Sequence, residues 1–246
     1  MLRLLTPLLV LCGCTFARAV EFENITQDGK HYTVCRVDLR KEKLHLFLRD
    51  DQGQPLKSFI GIESWLAPQR KQLIFGMNAG MYHAGLIPVG WFVEGGRELS
   101  PLNSSNGVGN FFLKPNGVFI VTRQGARILE TSQAAALHEP VELATQSGPL
   151  LVREGKIHPA FQPQSESRLF RNGVGIVSAQ EPVFVISEDP VNFYEFATLF
   201  RDALHCPDAL FFDGTICSLY APPLHRNDRK IDLGPMIGIT APVSKP

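Results

Sequence analysis

Four short stretches combine glycines with polar side chains that a hydrophobic core does not require. They are Asn78-Ala79-Gly80-Met81-Tyr82-His83, Thr145-Gln146-Ser147-Gly148-Pro149, Arg171-Asn172-Gly173-Val174-Gly175 and Asp213-Gly214-Thr215. Each abuts an apolar run, where a strand meets a loop, and glycine there lets backbone donors approach a ligand closely. Asp213 directly follows Ala209-Leu210-Phe211-Phe212, which sets a carboxylate at the rim of the core, partly desolvated. It is either a charge kept for chemistry or part of an Asp-Gly turn bonded to its own backbone. Asn78 carries the same ambiguity, since asparagine also caps turns. Arg171 puts a guanidinium at the start of a strand, where solvation is the ordinary outcome. Ser147-Gly148 offers a hydroxyl and an N–H, or simply a turn before Pro149. It lies outside any G-x-S-x-G elbow, which disfavours a serine hydrolase.

The elements that must hold these residues read mostly as strands. The runs 31–39 and 43–50 alternate apolar with polar residues, and their short charged connection, Arg40-Lys41-Glu42, predicts a hairpin. Further hairpins are predicted at Gly95-Gly96, at Pro115-Asn116-Gly117 and at Glu154-Gly155. Glu94, in the first of these, reads as a solvated turn residue. One helix is expected over 131–140, stopping at Pro140. A second starts at Asn192, a cap with Glu195 three residues on, and carries Phe196, Leu199, Phe200, Ala203 and Leu204 at helical spacing as core. The fold class is α+β: a mostly antiparallel, twisted sheet with repeated hairpins and two or more packed helices, formed by residues 20–246 as one domain.

Composition narrows the function. Lysine plus arginine and aspartate plus glutamate number 24 each in 246 residues, so the formal net charge is zero and a nucleic-acid partner is not expected. Arg226, Arg229 and Lys230 form a local basic spot that suits a single phosphate. The chain starts with Met-Leu-Arg, an apolar run and small residues at Ala17 and Ala19, the anatomy of an export signal cut after Ala19. The run is shorter than the ~20 residues that span a bilayer, so no membrane span is expected. Cys14 is an alternative point of attachment through a lipid anchor. Removal of 1–19 leaves Cys35, Cys206 and Cys217, enough for one disulfide at most. No C-x-x-C occurs and the histidines are scattered, so no structural zinc is expected.

In this order, the four stretches resemble the phosphodiester glycosidase family, the domain of the enzyme that uncovers mannose 6-phosphate on lysosomal proteins and of many bacterial exported proteins. The resemblance runs from about residue 70 to about residue 240. Asn78-Ala79-Gly80-Met81-Tyr82 answers the family's N-G-G-[FY] motif, the segment 147–156 its glycine-proline hairpin, Arg171–Gly175 its R-T-A-I-G-like segment and Asp213-Gly214-Thr215 its aspartate-glycine loop. Where the family often reads D-G-G-G-S, this chain has Thr215, Ile216 and Cys217 before Ser218, which leaves less room for backbone against a phosphate.

The resemblance implies an exported, periplasmic hydrolase of a sugar-1-phosphodiester or phosphoglycan. Asp213 would stabilise positive charge at the anomeric carbon and Arg171 the departing phosphate, with Asn78, Ser147, Gly148 and Thr215 orienting the substrate. Gly80, Tyr82, Gly214 and Ser218 complete the expected wall, and His83 is the acid-base reserve. No cofactor is expected. One alternative is a periplasmic domain that binds glycan without cleaving it; another is calcium- or magnesium-assisted hydrolysis using Asp208 and Asp213.

Overall fold

The structure, a computed structural model, describes residues 20–229 and 231–243. The expected leader 1–19 with Cys14, and Lys230 of the basic spot, lie outside the described residues. Antiparallel sheet dominates. A seven-stranded sheet runs in the order Val20–Gln27, Lys30–Val37, Glu181–Ser187, Asn172–Ser178, Asp208–Asp213, Leu150–Arg153 and Lys156–Ile157. A five-stranded sheet is ordered Gly125–Glu130, Gly117–Thr122, Leu143–Ser147, Phe92–Glu94 and Arg97–Ser100. A second is ordered Arg226–Asn227, Leu219–Ala221, Lys71–Asn78, Met236–Pro242 and Leu44–Phe47. A small ribbon pairs Tyr82–His83 with Ile87–Pro88.

The three sheets close on one core. Phe184, from the seven-stranded sheet, packs against Phe75 at 5.2 Å and Phe119 at 5.9 Å between ring centroids, so one ring joins all three. The opposite face of the seven-stranded sheet is covered by the helix Phe193–Thr198 and the π-helical turn Leu199–Ala203, which bury Phe196, Leu199 and Phe200 against Val183, Val185 and Phe211. The expected cap is present: Asn192 Oδ1 accepts from Glu195 N and Glu195 Oε2 accepts from Asn192 N, both at 2.9 Å.

Several expectations are corrected. The runs on either side of 40–42 do not pair. Lys30–Val37 turns back at Asp28-Gly29 onto Val20–Gln27, and Leu44–Phe47 joins a different sheet beside Met236–Pro242. Alternation implied one buried face for each run, but Lys30–Val37 is buried on both, with Cys35 and Val37 in one core cluster and Tyr32 and Val34 in another, and alternation carries no partner information. Pro115-Asn116-Gly117 is not a hairpin. Asn116 is buried, its Nδ2 donating to Phe111 O at 2.8 Å and its Oδ1 accepting from Thr131 Oγ1 at 2.9 Å, and the strand that follows pairs with Gly125–Glu130 instead. The helix at 131–140 is real only over Thr131–Ala135. A helix over Phe59–Leu66 was not anticipated; Ser58 caps it by accepting from Gly61 N. The hairpins at Gly95-Gly96 and Glu154-Gly155 form as expected.

Candidate active site

The four stretches meet at one end of the sheets. Asn78 ends its strand with 1% exposure, and its Oδ1 accepts from Ser218 N and from Asn172 Nδ2, each at 2.9 Å. Asn172 Nδ2 also donates to Asn78 O at 2.8 Å, and in the antiparallel register Asn172 lies opposite Asp213. Ser147 Oγ donates to Phe212 O at 3.0 Å, while Thr145 Oγ1 donates to Ala79 O at 2.5 Å. Gly80 makes the sharp turn: its φ is +148°, and a Cβ there would sit 2.9 Å from Thr145 Oγ1. Cys217, which follows the two lost glycine positions of the family's loop motif, is buried, with its sulfur 3.3 Å from the carbonyl oxygens of both Phe170 and Asp213. The departure in this loop therefore fastens it to the neighbouring strand start.

Asp213 is 8% exposed, and its Oδ1 accepts from Thr215 N at 2.6 Å and Ile216 N at 3.3 Å. The Asp-Gly turn and the desolvated carboxylate are thus both realised in one residue. Burial raises its pKa above the usual aspartate range, against the lowering effect of the backbone N–H groups of Thr215, Ile216 and Gly214.

Arg171 is not a solvated surface residue, for its exposure is 1%. Its guanidinium lies over Phe193, 3.7 Å from the ring centroid, with Nε donating to Val191 O at 2.9 Å and Nη2 to Ser167 O at 3.1 Å. Burial pushes its pKa down to about 10, which leaves it charged at neutral pH. Nη1 has no hydrogen-bond partner, and a Cβ on Gly214 would be 3.5 Å from it. Among the described residues no carboxylate forms an ion pair with this cation, so its desolvation is offset only by the two carbonyl hydrogen bonds and the Phe193 ring.

A cavity of about 440 Å³ opens in front of this cluster. Tyr82, His83, Asp213, Gly214 and Thr215 line it as expected. Asn78, Gly80, Ser147, Gly148, Arg171 and Ser218, expected beside them, do not line it. They lie behind the wall, and the Ser147 and Ser218 hydroxyls are already committed to the carbonyls of Phe212 and Ile216. Tyr82 donates its hydroxyl to Asp232 O at 2.6 Å, and its pKa is raised by burial and then by the negative charges of Asp213 and Asp232.

The opposite wall was not anticipated: it is Val108, Gly109, Asn110, Phe111 and Phe112, with Met81, Val89, Ile216 and Ile231 completing the lining. The sequence signal for it was weak, an exposed Ser-Asn-Gly-rich run ending in two phenylalanines. Two other expectations fall. Asp208 and Asp213 stand at opposite ends of one strand, roughly 16 Å apart at ~3.3 Å per residue, and cannot share an ion. Arg226 of the basic spot is held by Glu188 and Asp228. Cys35, Cys206 and Cys217 are buried and form no disulfide among the described residues.

The phosphodiester glycosidase family model matches residues 71–230. A protein of Escherichia coli K12, uncharacterized protein YigE, is 37% identical over 149 residues, which are 61% of this chain and 58% of that one; the chain thus matches rather more than half of that relative's length. Among solved structures, the catalytic domain of zebrafish N-acetylglucosamine-1-phosphodiester alpha-N-acetylglucosaminidase, auto-inhibited by its pro-peptide, superposes with a TM-score of 0.62 at 13% identity, over 92% of this chain and 84% of that one. A putative exported protein of Burkholderia pseudomallei superposes with a TM-score of 0.54 at 10% identity, over 85% of this chain and 74% of that one. These two likenesses concern the fold. With the family model covering most of the chain, from the strand that leads into Asn78 to beyond the Asp213 loop, the protein belongs to the phosphodiester glycosidase family.

Proposed function

We propose that the protein hydrolyses a sugar-1-phosphodiester in the cavity at Asp213. The observation that carries this reading is a carboxylate 8% exposed, disfavoured as an anion by burial, in the wall of a cavity of about 440 Å³. That volume lies within the ~300–1,000 Å³ usual for small-molecule sites. When the bond between the anomeric carbon and the phosphate oxygen breaks, the electron pair leaves with the phosphate monoester and positive charge spreads over the anomeric carbon and ring oxygen. Asp213 stabilises that charge; water then bonds to the anomeric carbon and releases a proton to the medium. A phosphate monoester leaves well, so protonation of the leaving group is less needed than for an alcohol.

The His83 imidazole and the exposed Thr215 hydroxyl supply hydrogen bonds to the phosphate from the cavity wall. Arg171 acts from behind Gly214, as a fixed positive charge that favours an anion in front of it. Asn78 and Ser147 position protein rather than substrate. Reading 1–19 as an export signal, we put this reaction in the periplasm, with a glycan or phosphoglycan there as substrate.

The test is release of product from a chromogenic N-acetylglucosamine 1-phosphodiester. Asp213→Asn should reduce kcat by about 10²- to 10³-fold. Full activity in a folded Asp213→Asn variant would remove the assignment. A second reading, a glycan-binding domain without catalysis, draws on the withdrawal of Arg171 and Asn78 from the cavity. Under it the phosphodiester raises the melting temperature while no product forms.

A further inference from the structure

The ribbon of Tyr82–His83 and Ile87–Pro88 separates the Asp213 cavity from a second concave region. His83 lines the first, and Ile87 and Pro88 line the second. The second region consists of two cavities, of about 560 and 860 Å³, that share Trp65, Glu94 and Gly95. Neither has a lining residue in common with the Asp213 cavity.

Trp65 is half-buried and held in place. Its ring stands edge-on to Phe47, with centroids 6.3 Å apart, and its Nε1 donates to Asp51 Oδ2 at 3.2 Å. Glu94 is also half-buried, contrary to the solvated turn residue expected of it. Its carboxylate has no hydrogen bond and no ion pair among the described residues; Arg97, its register partner across the hairpin, lowers its pKa without bonding to it. Burial outweighs that and pushes the carboxyl up to about 7, so near neutrality it both accepts and donates hydrogen bonds. A carboxylate facing cavities without a partner leaves hydrogen-bonding capacity for a ligand.

The charges of the walls select the ligand. Lys43, Arg49, Arg97 and Arg123 are nearly balanced by Asp50, Asp51, Glu142 and the partly ionised Glu94. A nearly balanced rim gives little field to favour a polyanion or a metal cation. A fixed indole beside such a rim suits a molecule with one apolar face and many hydroxyls. We infer that the groove at Trp65 and Glu94 binds a neutral oligosaccharide, with a pyranose ring against the indole and hydroxyls on the Glu94 carboxylate. The site lies across the ribbon from Asp213, so a glycan chain crossing Ile87 and His83 reaches both cavities.

The inference does not depend on catalysis at Asp213. Chitotetraose, cellotetraose and maltotetraose are titrated into the full protein while the Trp65 indole N–H resonance is followed, with titration calorimetry giving the affinity of the Trp65 variants, which lack that resonance. At least one should give a saturable shift. Affinity should fall about tenfold or more in Glu94→Ala, the loss expected when a hydrogen bond to a charged group is removed, and similarly in Trp65→Ala. Trp65→Phe should retain most of the affinity, and Asp213→Asn should bind as the wild type does. The inference is overturned if none of the three sugars shifts the resonance, if the shift is unaffected by Glu94→Ala, or if calcium chloride alone reproduces it.

Discussion

The residues behind the Asp213 cavity and those at its mouth are built on opposite principles. Behind it, Asn78, Ser147, Asn172 and Ser218 are at most 1% exposed, and each is bonded to a strand end other than its own or to its own loop. At the mouth, His83 and Thr215 are exposed, and Val108 has 97% of its surface in solvent. The first set fixes the loops relative to one another, whereas the second is left open to touch a ligand. Asp213 belongs to both: Oδ1 is held by the backbone of its own loop, and the carboxylate lines the cavity. The contrast shows why motif residues need not be contact residues. A family motif records what the loops need in order to converge as well as what the substrate needs.

The sharpest way to break this contrast is at Asp213. Burial raises its pKa in the folded protein, so the folded state binds a proton more readily than the unfolded chain does. Stability therefore falls as pH rises from the ordinary aspartate value of ~3.9 through the raised folded value, and the ionised form carries a cost at neutral pH. Under the proposed function activity runs the other way, because it needs the anion. The acid limb of kcat/KM should lie above the ordinary aspartate value, and it is read from a pH–rate profile. Asp213→Asn, down by about 10²- to 10³-fold in turnover, should melt no lower than the wild type at pH 7. A variant that lost activity and stability together would make Asp213 a fastener like Asn78.

Asn172 tests the layer behind. Asn172→Ala removes two hydrogen bonds to Asn78 and leaves a buried carbonyl and a buried amide oxygen each short of a donor, at a cost of about 2–3 kcal/mol. Urea denaturation should show the lower midpoint with an unchanged slope. Activity should fall with it, through disorder of the loops rather than loss of a substrate contact. Unchanged stability would mean that the Asn78–Asn172 link is not what joins the strand ends.

How far this was legible in the sequence follows from the same division. The capped helix at Asn192 and the glycine hairpin after Glu94 are local, written in residues three or four apart, and both were read correctly. The convergence of Asn78, Ser147, Arg171 and Asp213 depends on distant segments; the order of motifs in a known family supplied it, and no periodicity could have. The pairing of Lys30–Val37 was misread because alternation defines a face and not a neighbour. The burial of Arg171 was hidden because its compensation comes from Phe193, Val191 and Ser167, none of them adjacent in sequence. The wall at Val108–Phe112 was missed for the opposite reason: an exposed loop carries little pattern of any kind.

The smallest effect is expected at the mouth, and it completes the contrast. Thr215 is exposed, and its hydroxyl forms no hydrogen bond within the protein among the described residues. Thr215→Ala should therefore change stability by no more than about 0.5 kcal/mol, as surface substitutions usually do. If the hydroxyl donates to the phosphate of the bound diester, its loss removes a charge-assisted hydrogen bond worth about 1.5–3 kcal/mol when well formed, and less where water can replace it. The measurement is KM against kcat on the same chromogenic diester. A raised KM with unchanged kcat means that Thr215 holds substrate and transition state equally, while a reduced kcat means that its bond strengthens as charge develops on the leaving oxygen. Neither change, with the fold intact, would put the phosphate elsewhere along the wall, nearest His83.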